Sequence, residues 1–262
     1  MGRRWVIAQA SILTLAIASP GALDPRPVRA AEVTVLSAVA VKSALDDLVG
    51  KFEQTTGDKV TVSYGTAGDV LKRLQAGESA GVAILPKPRL DELVQQGKVA
   101  PGSTRDFATG EVGLAVRAGT SRPDISSPEA LKRSLLGAKS ISYADPAKGG
   151  ASGVHFVRVL EQLGIADQMK PKTKLVPGPE APDLASRGEV EIAVAMVPEI
   201  LTVRGAELVG PLPQELQNKP GFTYVAGLMA GSAQPEAAKS LIQFISSPEA
   251  DAVIKSKGLQ PG

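Results

Sequence analysis

The chain has no cysteine and a single histidine, His155, in 262 residues. Without thiols there is no disulfide framework, no thiolate metal site and no cysteine nucleophile. One histidine rules out a three-histidine catalytic zinc site, and no metal is expected. Aromatic residues make up only 3%, so the stacking platforms by which single-strand binders hold bases are missing. Basic and acidic residues nearly balance, 29 against 27, for a net charge of +2, and there is no basic run; nucleic acid is not an expected partner. Neither Gly-Lys-Ser nor Gly-Lys-Thr occurs, which removes the Walker pattern of nucleoside triphosphate binders. Past the first 20 or so residues no apolar run reaches the ~20 residues of a membrane span, so the chain is not expected to be membrane-embedded.

What is present begins with "MGRR" followed by "WVIAQASILTLAIA", a short basic segment and an apolar run of secretory-signal type. Val28 and Ala30 are the small residues a signal peptidase reads, so residues 1–30 are expected to be removed and the mature protein to be periplasmic, starting at Ala31. Arg3 and Arg4 leave twin-arginine export open beside the general route. The rest of the chain is long enough to bury a core without staples.

Along the mature chain, "EVTVLSAVA" leads into "AVKSALDDLVGKFEQTTG", a β-branched run and then helical spacing closed by Gly57. "DKVTVSYGTAGDVLKRLQAGE" and "VAILPKPRLDELVQQGKV" repeat the strand, corner and helix. This alternation predicts an α/β fold of parallel β-α-β units, whose ligands gather where corners converge at the carboxyl edge of the sheet. After Pro101 an apolar strand within "TGEVGLAVRAG", a helix opening at Ser127 and the unit "SISYADPAKGGASGVHFVRVLEQLGI" begin a second set. Two lobes are expected: residues 31–113, then 114–222, with 223–262 returning to the first.

The stretch "DPAKGGASGVHF" from Asp145 holds three glycines, Ser152 and His155. At a helix start, "GGASG" offers unpaired backbone N–H groups and the positive end of the dipole, an anion cradle needing no Lys or Arg. The plainer reading makes the glycines a turn and Ser152 a cap. Ser37 and Thr66, at strand ends just before helices, are likewise ligand donors or caps. His155, one turn into its helix, is a proton-transfer group or a surface residue. Asp69, Asp145 and Glu180 sit at corners as solvated caps or proton carriers, and Lys87 and Lys148 as partners for carboxylates or solvated charges.

The segments "VTVLSAVAVKSALDDLVGKFEQTTGDKV", "LKRLQAGESAGVAIL", "LDELVQQGKV", "RGEVEIAVAMVPEIL" and "PEAAKSLIQFISSPEADAVIKSKGL", in that order, resemble the type II periplasmic solute-binding proteins, in particular the molybdate-binding group of ABC importers. "TVLS", the "SGV" at Ser152 and "LVGPLP" are also similar to a branch that includes bacterial aconitate isomerase. The resemblance implies a two-lobed fold, each lobe a mostly parallel sheet flanked by helices, with an anion in the cleft between them. It implies contacts at Ser37, Ala38, Thr66, Ala67, Ser152, Gly153 and Met196, a small anionic ligand, an ABC permease as partner, a monomer and no cofactor. Against the molybdate pattern, "GTAGD" leaves Thr66 as the only hydroxyl at the second corner, and Met196 stands where a tyrosine is expected. A small, strongly hydrated oxyanion loses donors there, because each unpartnered oxygen bears its desolvation in full; an organic carboxylate fits the wall better. Two functions follow. One is an exported binding protein that delivers such an anion to an importer. The alternative is an isomerase that shifts a carbon–carbon double bond by cofactor-free proton transfer, with His155 as the candidate catalytic residue.

Overall fold

The computed structural model of the chain describes residues 1–2, 30–218 and 222–262; the expected signal segment lies almost wholly outside the described residues. The first unit is β1 (Glu32–Ala38), α1 (Lys42–Thr56), β2 (Lys59–Gly65), α2 (Ala67–Gln75), β3 (Val82–Pro86) and α3 (Lys87–Gln95). β1 pairs in parallel with β2 on one side and β3 on the other. All five residues of β3, "VAILP", are buried, as a strand covered by helices on both faces requires. α1 stops at Gly57, whose φ of +78° closes the helix without the penalty a Cβ would bring.

The second set repeats the plan: β5 (Val112–Arg117), α4 (Pro128–Gly137), β6 (Ile141–Ala144), α5 (Ala151–Gln162), α6 (Ala166–Met169), β7 (Thr173–Val176), α7 (Ala181–Ser186), β8 (Ile192–Met196), α8 (Val197–Thr202) and β9 (Ala206–Pro211). β6 is parallel to both β7 and β8, and "IAVAM" in β8 is wholly buried. Ser127 caps α4 by accepting the Ala130 N–H, as its position before Pro128 predicts.

The chain also forms β4 (Arg105–Thr109), β10 (Thr223–Leu228), α9 (Pro235–Ile245), α10 (Asp251–Ser256) and β11 (Gln260–Pro261). β10 is antiparallel to β3 and β4, β11 to β4, and β5 to β8 and β9. The orders are β11-β4-β10-β3-β1-β2 and β7-β6-β8-β5-β9. Each sheet is therefore mixed: parallel through its β-α-β strands, antiparallel where the chain enters from or returns to the other sheet, since those passages carry no crossover helix.

The two passages run side by side. Gly110 N–H donates to Phe222 O at 3.0 Å, and Leu212 N–H to Val112 O at 2.9 Å. The Gln217 side chain pairs with both backbone groups of Val112, accepting at 3.2 Å and donating at 2.9 Å. Hydrogen bonds at Gly110 and Val112 thus hold the two passages together. The carboxyl ends of β1, β2, β6 and β8 face each other across them.

Candidate ligand site between the lobes

The lobes meet around a cavity of about 20 Å3, room for roughly one water. The first lobe contributes Ala38 at the end of β1, Val39 and Ala40 after it, Thr66 and Ala67 at the start of α2, and Tyr224 from β10. The second contributes Ala144, the α5 start from Gly150 to Ser152, Gly178 and Pro179 before α7, then Met196 and Glu199. A ligand larger than water enters only when the lobes part.

The mouth is closed by glycines. Gly68 N–H donates to Gly149 O at 3.2 Å across the lobes. A Cβ on Gly68 would lie 2.8 Å from Gly149 Cα, and one on Gly149, whose φ is +76°, 2.7 Å from Gly68 Cα. Beside them Thr66 Oγ1 lies 2.8 Å from both Lys148 O and Asp69 Oδ2 and accepts the Asp69 N–H at 3.1 Å. A hydroxyl has one proton to donate, so Thr66 caps α2 and latches the closed lobes, and parting them frees that proton.

The glycines of "GGASG" answer to space as well. A Cβ on Gly150 would meet the Ala144 Cβ at 2.7 Å, and one on Gly153 would fall 1.8 Å from Ala144 O. They let α5 begin against the end of β6. No side chain caps α5 at Gly150, so its first N–H groups are left for whatever occupies the cleft. Among the described residues no Lys or Arg lines the cavity. The favourable field for an anion comes from the starts of α2 and α5, which meet there from opposite lobes.

Ala38, Thr66, Ala67, Ser152 and Met196 thus come together; Ser37, Gly153 and His155 do not line the cavity. Ser37 is fully buried, its hydroxyl donating to Ala38 O at 3.1 Å. Met196, 1% exposed, is both core and wall: its methyl occupies the space a Cβ on Gly110 would need, at 2.6 Å. His155 lies beyond the glycine contact, in a pocket with Arg89, Arg158 and Asn218. Its Nε2 is 2.7 Å from Leu216 O and its ring stands edge-on to Phe222. Burial, with Arg158 nearby, holds its pKa below the usual imidazole range despite the Leu216 bond. The corner acids are also engaged. Asp145 accepts the Ala147 N–H at 2.9 Å and Glu180 the Gly178 N–H at 2.8 Å. Lys87 pairs with Asp91 at 3.4 Å, and Lys148 is exposed.

Two functional groups escaped the sequence reading. Glu199, in the first turn of α8, lines the cavity and accepts the Met196 N–H at 3.1 Å. Burial, opposed by that hydrogen bond and assisted by the negative Glu180, raises its carboxyl to about 7. Tyr224 is completely buried and its hydroxyl has no hydrogen-bond partner; burial first, and the charge of Glu199 second, push its pKa up. Glu199 is the third residue of α8, as Asp69 is of α2, so nothing local sets it apart from an ordinary helix-start acid. Among the described residues no group of three or more His, Cys, Asp or Glu could hold a metal ion.

The family described as bacterial extracellular solute-binding protein matches residues 33–260. The chain belongs to this family. This solute-binding protein is 31% identical to an aconitate isomerase from a Pseudomonas species, over 94% of each chain. It is 26% identical to the molybdate-binding protein ModA of Azotobacter vinelandii, over 95% of this chain and 97% of that one. Among solved structures it is similar to the periplasmic molybdate-binding protein of Azotobacter vinelandii, with a TM-score of 0.73 and 21% identity over 87% of this chain and 98% of that one. The sulfate-binding protein SubI from Mycobacterium tuberculosis H37Rv has a TM-score of 0.69 and 18% identity, over 88% and 87%. Those structural likenesses establish the two-lobed fold. The family is extracellular or periplasmic, and among the described residues no helix is long and apolar enough to cross a membrane.

Proposed function

We propose that this solute-binding protein, exported with its signal removed near Ala30, takes a small organic polycarboxylate into the cleft in preference to a molybdate-type oxyanion. The observation that carries the reading is Glu199 in the cavity wall. A tetrahedral dianion held against a buried carboxyl meets a like charge or forces that carboxyl to stay protonated. Few hydroxyls offset this: among the described residues of the cavity lining only Thr66, Ser152 and Tyr224 carry one. A polycarboxylate spreads its charge over several groups, places carboxylates on the α2 and α5 starts, and lays carbon against Met196 and the alanines. In the binding-protein role, closure at Gly68 and Gly149 retains the anion until an ABC permease accepts it.

A second reading rests on the same residue. The 31% identical relative named aconitate isomerase suggests turnover, and a carboxyl raised to about 7 has the basicity suited to proton transfer near neutral pH. Incubating the mature protein with molybdate, sulfate and di- and tricarboxylates, while following melting temperature and ultraviolet absorbance together, separates the readings. A carboxylate that raises the melting temperature without absorbance change supports transport. Interconversion of cis- and trans-aconitate supports the isomerase. A shift with molybdate alone contradicts both.

A further inference from the structure

Glu199 and Tyr224 approach the same cavity from opposite lobes, one on α8 and the other on β10. Of the Glu199 carboxyl, only Oε2 is engaged in a hydrogen bond among the described residues, with Met196 N–H. A carboxylate has about four acceptor sites, so most of its capacity is open to the cavity. The Tyr224 hydroxyl is buried without any partner, a state that costs free energy unless something else enters to accept its proton. Glu199 also forms part of the wall of a neighbouring groove of about 430 Å3 between the lobes, lined by Lys42, Asp46, Asp183 and Lys257 among others. Its carboxyl thus stands between an enclosed site and a wider groove through which the site can be reset by solvent.

We propose that Glu199 moves a proton between two carbons of an unsaturated polycarboxylate bound in the cleft, while the Tyr224 hydroxyl donates a hydrogen bond to the ligand carboxylate on which negative charge develops. This deepens the carboxylate reading and rests on it. The substrate class is a carboxylic acid whose methylene group lies between a carboxylate and a carbon–carbon double bond. Glu199 as carboxylate takes a proton from that methylene; the C–H bond breaks and its electron pair spreads over the three-carbon unit and the adjoining carboxylates. Glu199, now the neutral acid, returns the proton to the far carbon of the unit. A new C–H bond forms, the double bond has moved by one position, and Glu199 is a carboxylate again. Nothing is oxidised or reduced and no co-reactant is consumed. Two features suit Glu199 to this step. Burial strengthens it as a base relative to a solvated glutamate, and its neutral intermediate form relieves repulsion from a polyanionic ligand.

The test uses the full mature chain with cis-aconitate as substrate probe and tricarballylate, the saturated analogue that cannot react, as binding probe. Glu199→Gln keeps an oxygen to accept the Met196 N–H. It is expected to lower kcat by about 10²- to 10⁴-fold and to leave the tricarballylate Kd within about fivefold. Tyr224→Phe is expected to lower kcat by about 10²-fold, the loss typical of one charge-stabilising donor, again with little change in Kd. Circular dichroism and thermal unfolding verify that both variants fold; Glu199→Asp, which keeps the carboxyl but withdraws it, should fall between wild type and Gln. Turnover within about threefold of wild type in Glu199→Gln overturns the proposal, as does a loss of tricarballylate affinity equal to the loss of kcat. Wild type that binds tricarballylate without converting cis-aconitate overturns the proton-transfer role and leaves the carboxylate site standing. Wild type that binds neither overturns both.

Discussion

Two spaces between the lobes lie on either side of the Gly68–Gly149 contact, with Ala67 and Ala151 in the walls of both. The inner one has Glu199 and Tyr224 and, among the described residues, no Lys or Arg. The outer one, about 300 Å3, has Arg89, Arg158, His155, Glu92 and Asn218. A tally of charges puts an anion in the outer space; fixed dipoles put it in the inner. Arg89 is already partnered by Glu92 at 3.1 Å, both side chains more than 40% exposed, and water and salt weaken what an exposed cation offers. The α5 start, by contrast, leaves its first N–H groups uncapped beside an enclosed cavity, where each is worth more; at the α2 start the Gly68 and Asp69 N–H groups are taken by Gly149 O and Thr66 Oγ1. An anion site of this kind is built from backbone placed by glycines, and it leaves room for an ionisable side chain at its centre.

The largest effect expected from the inner space is on stability, through Glu199. Below about pH 4.5 its carboxyl is protonated folded or unfolded and has no influence. As pH rises towards 7 the unfolded chain ionises first, which draws the equilibrium toward unfolding until the folded carboxyl, raised to about 7, ionises too. Glu199→Gln escapes this cost, so at pH 8 the unliganded variant should be more stable than wild type by at most about 3 kcal/mol, and at pH 4 by nothing. Urea denaturation at the two pH values measures the difference; an equal change at both refutes the burial of an ionisable group.

Next is the wall between the two spaces. Gly68→Ala puts a Cβ 2.8 Å from Gly149 Cα, which blocks closure but not the open lobes. Carboxylate affinity should fall about 10- to 100-fold, or roughly 1.4 to 2.8 kcal/mol, while the melting temperature without ligand stays nearly constant; calorimetric titration and thermal unfolding check the pair. Thr66→Ala should cost about 1 kcal/mol of unliganded stability from the lost α2 cap, and about 1 kcal/mol of affinity as well, because the hydroxyl both caps the helix and latches the lobes. The smallest effect belongs to the outer space. His155→Gln should leave carboxylate affinity and turnover within about twofold, since the imidazole faces Leu216 O and Phe222 and not the cavity; a tenfold loss would move the functional centre outward.

The strand-helix alternation was legible because buried central strands such as "VAILP" and "IAVAM" are continuous apolar runs closed by Pro or Gly. The strands that escaped were the polar or interrupted ones. β7 exposes Lys174 and Leu175, β4 begins with two exposed charges, and β9 carries Gly210 with a φ of +159°. Their positions depend on pairing with distant strands, which no local pattern encodes. In the site, Thr66 could be read from capping chemistry; Ser152 could not, since it lies inside α5 and caps nothing there. Glu199 and Tyr224 could not: one looks like an ordinary helix-start acid and the other like a core aromatic, and only the fold brings them to one cavity. His155 drew attention by rarity, a property of composition and not of place.

The anion that the cleft prefers is the property on which the site's chemistry depends most directly. Calorimetric titration of the mature protein at pH 7 with tricarballylate and, separately, with molybdate measures it. The prediction is saturable one-to-one binding of tricarballylate with a Kd near micromolar, about 8 kcal/mol, and at least tenfold weaker molybdate. Micromolar or tighter binding of molybdate with no heat from the tricarboxylate would contradict the account.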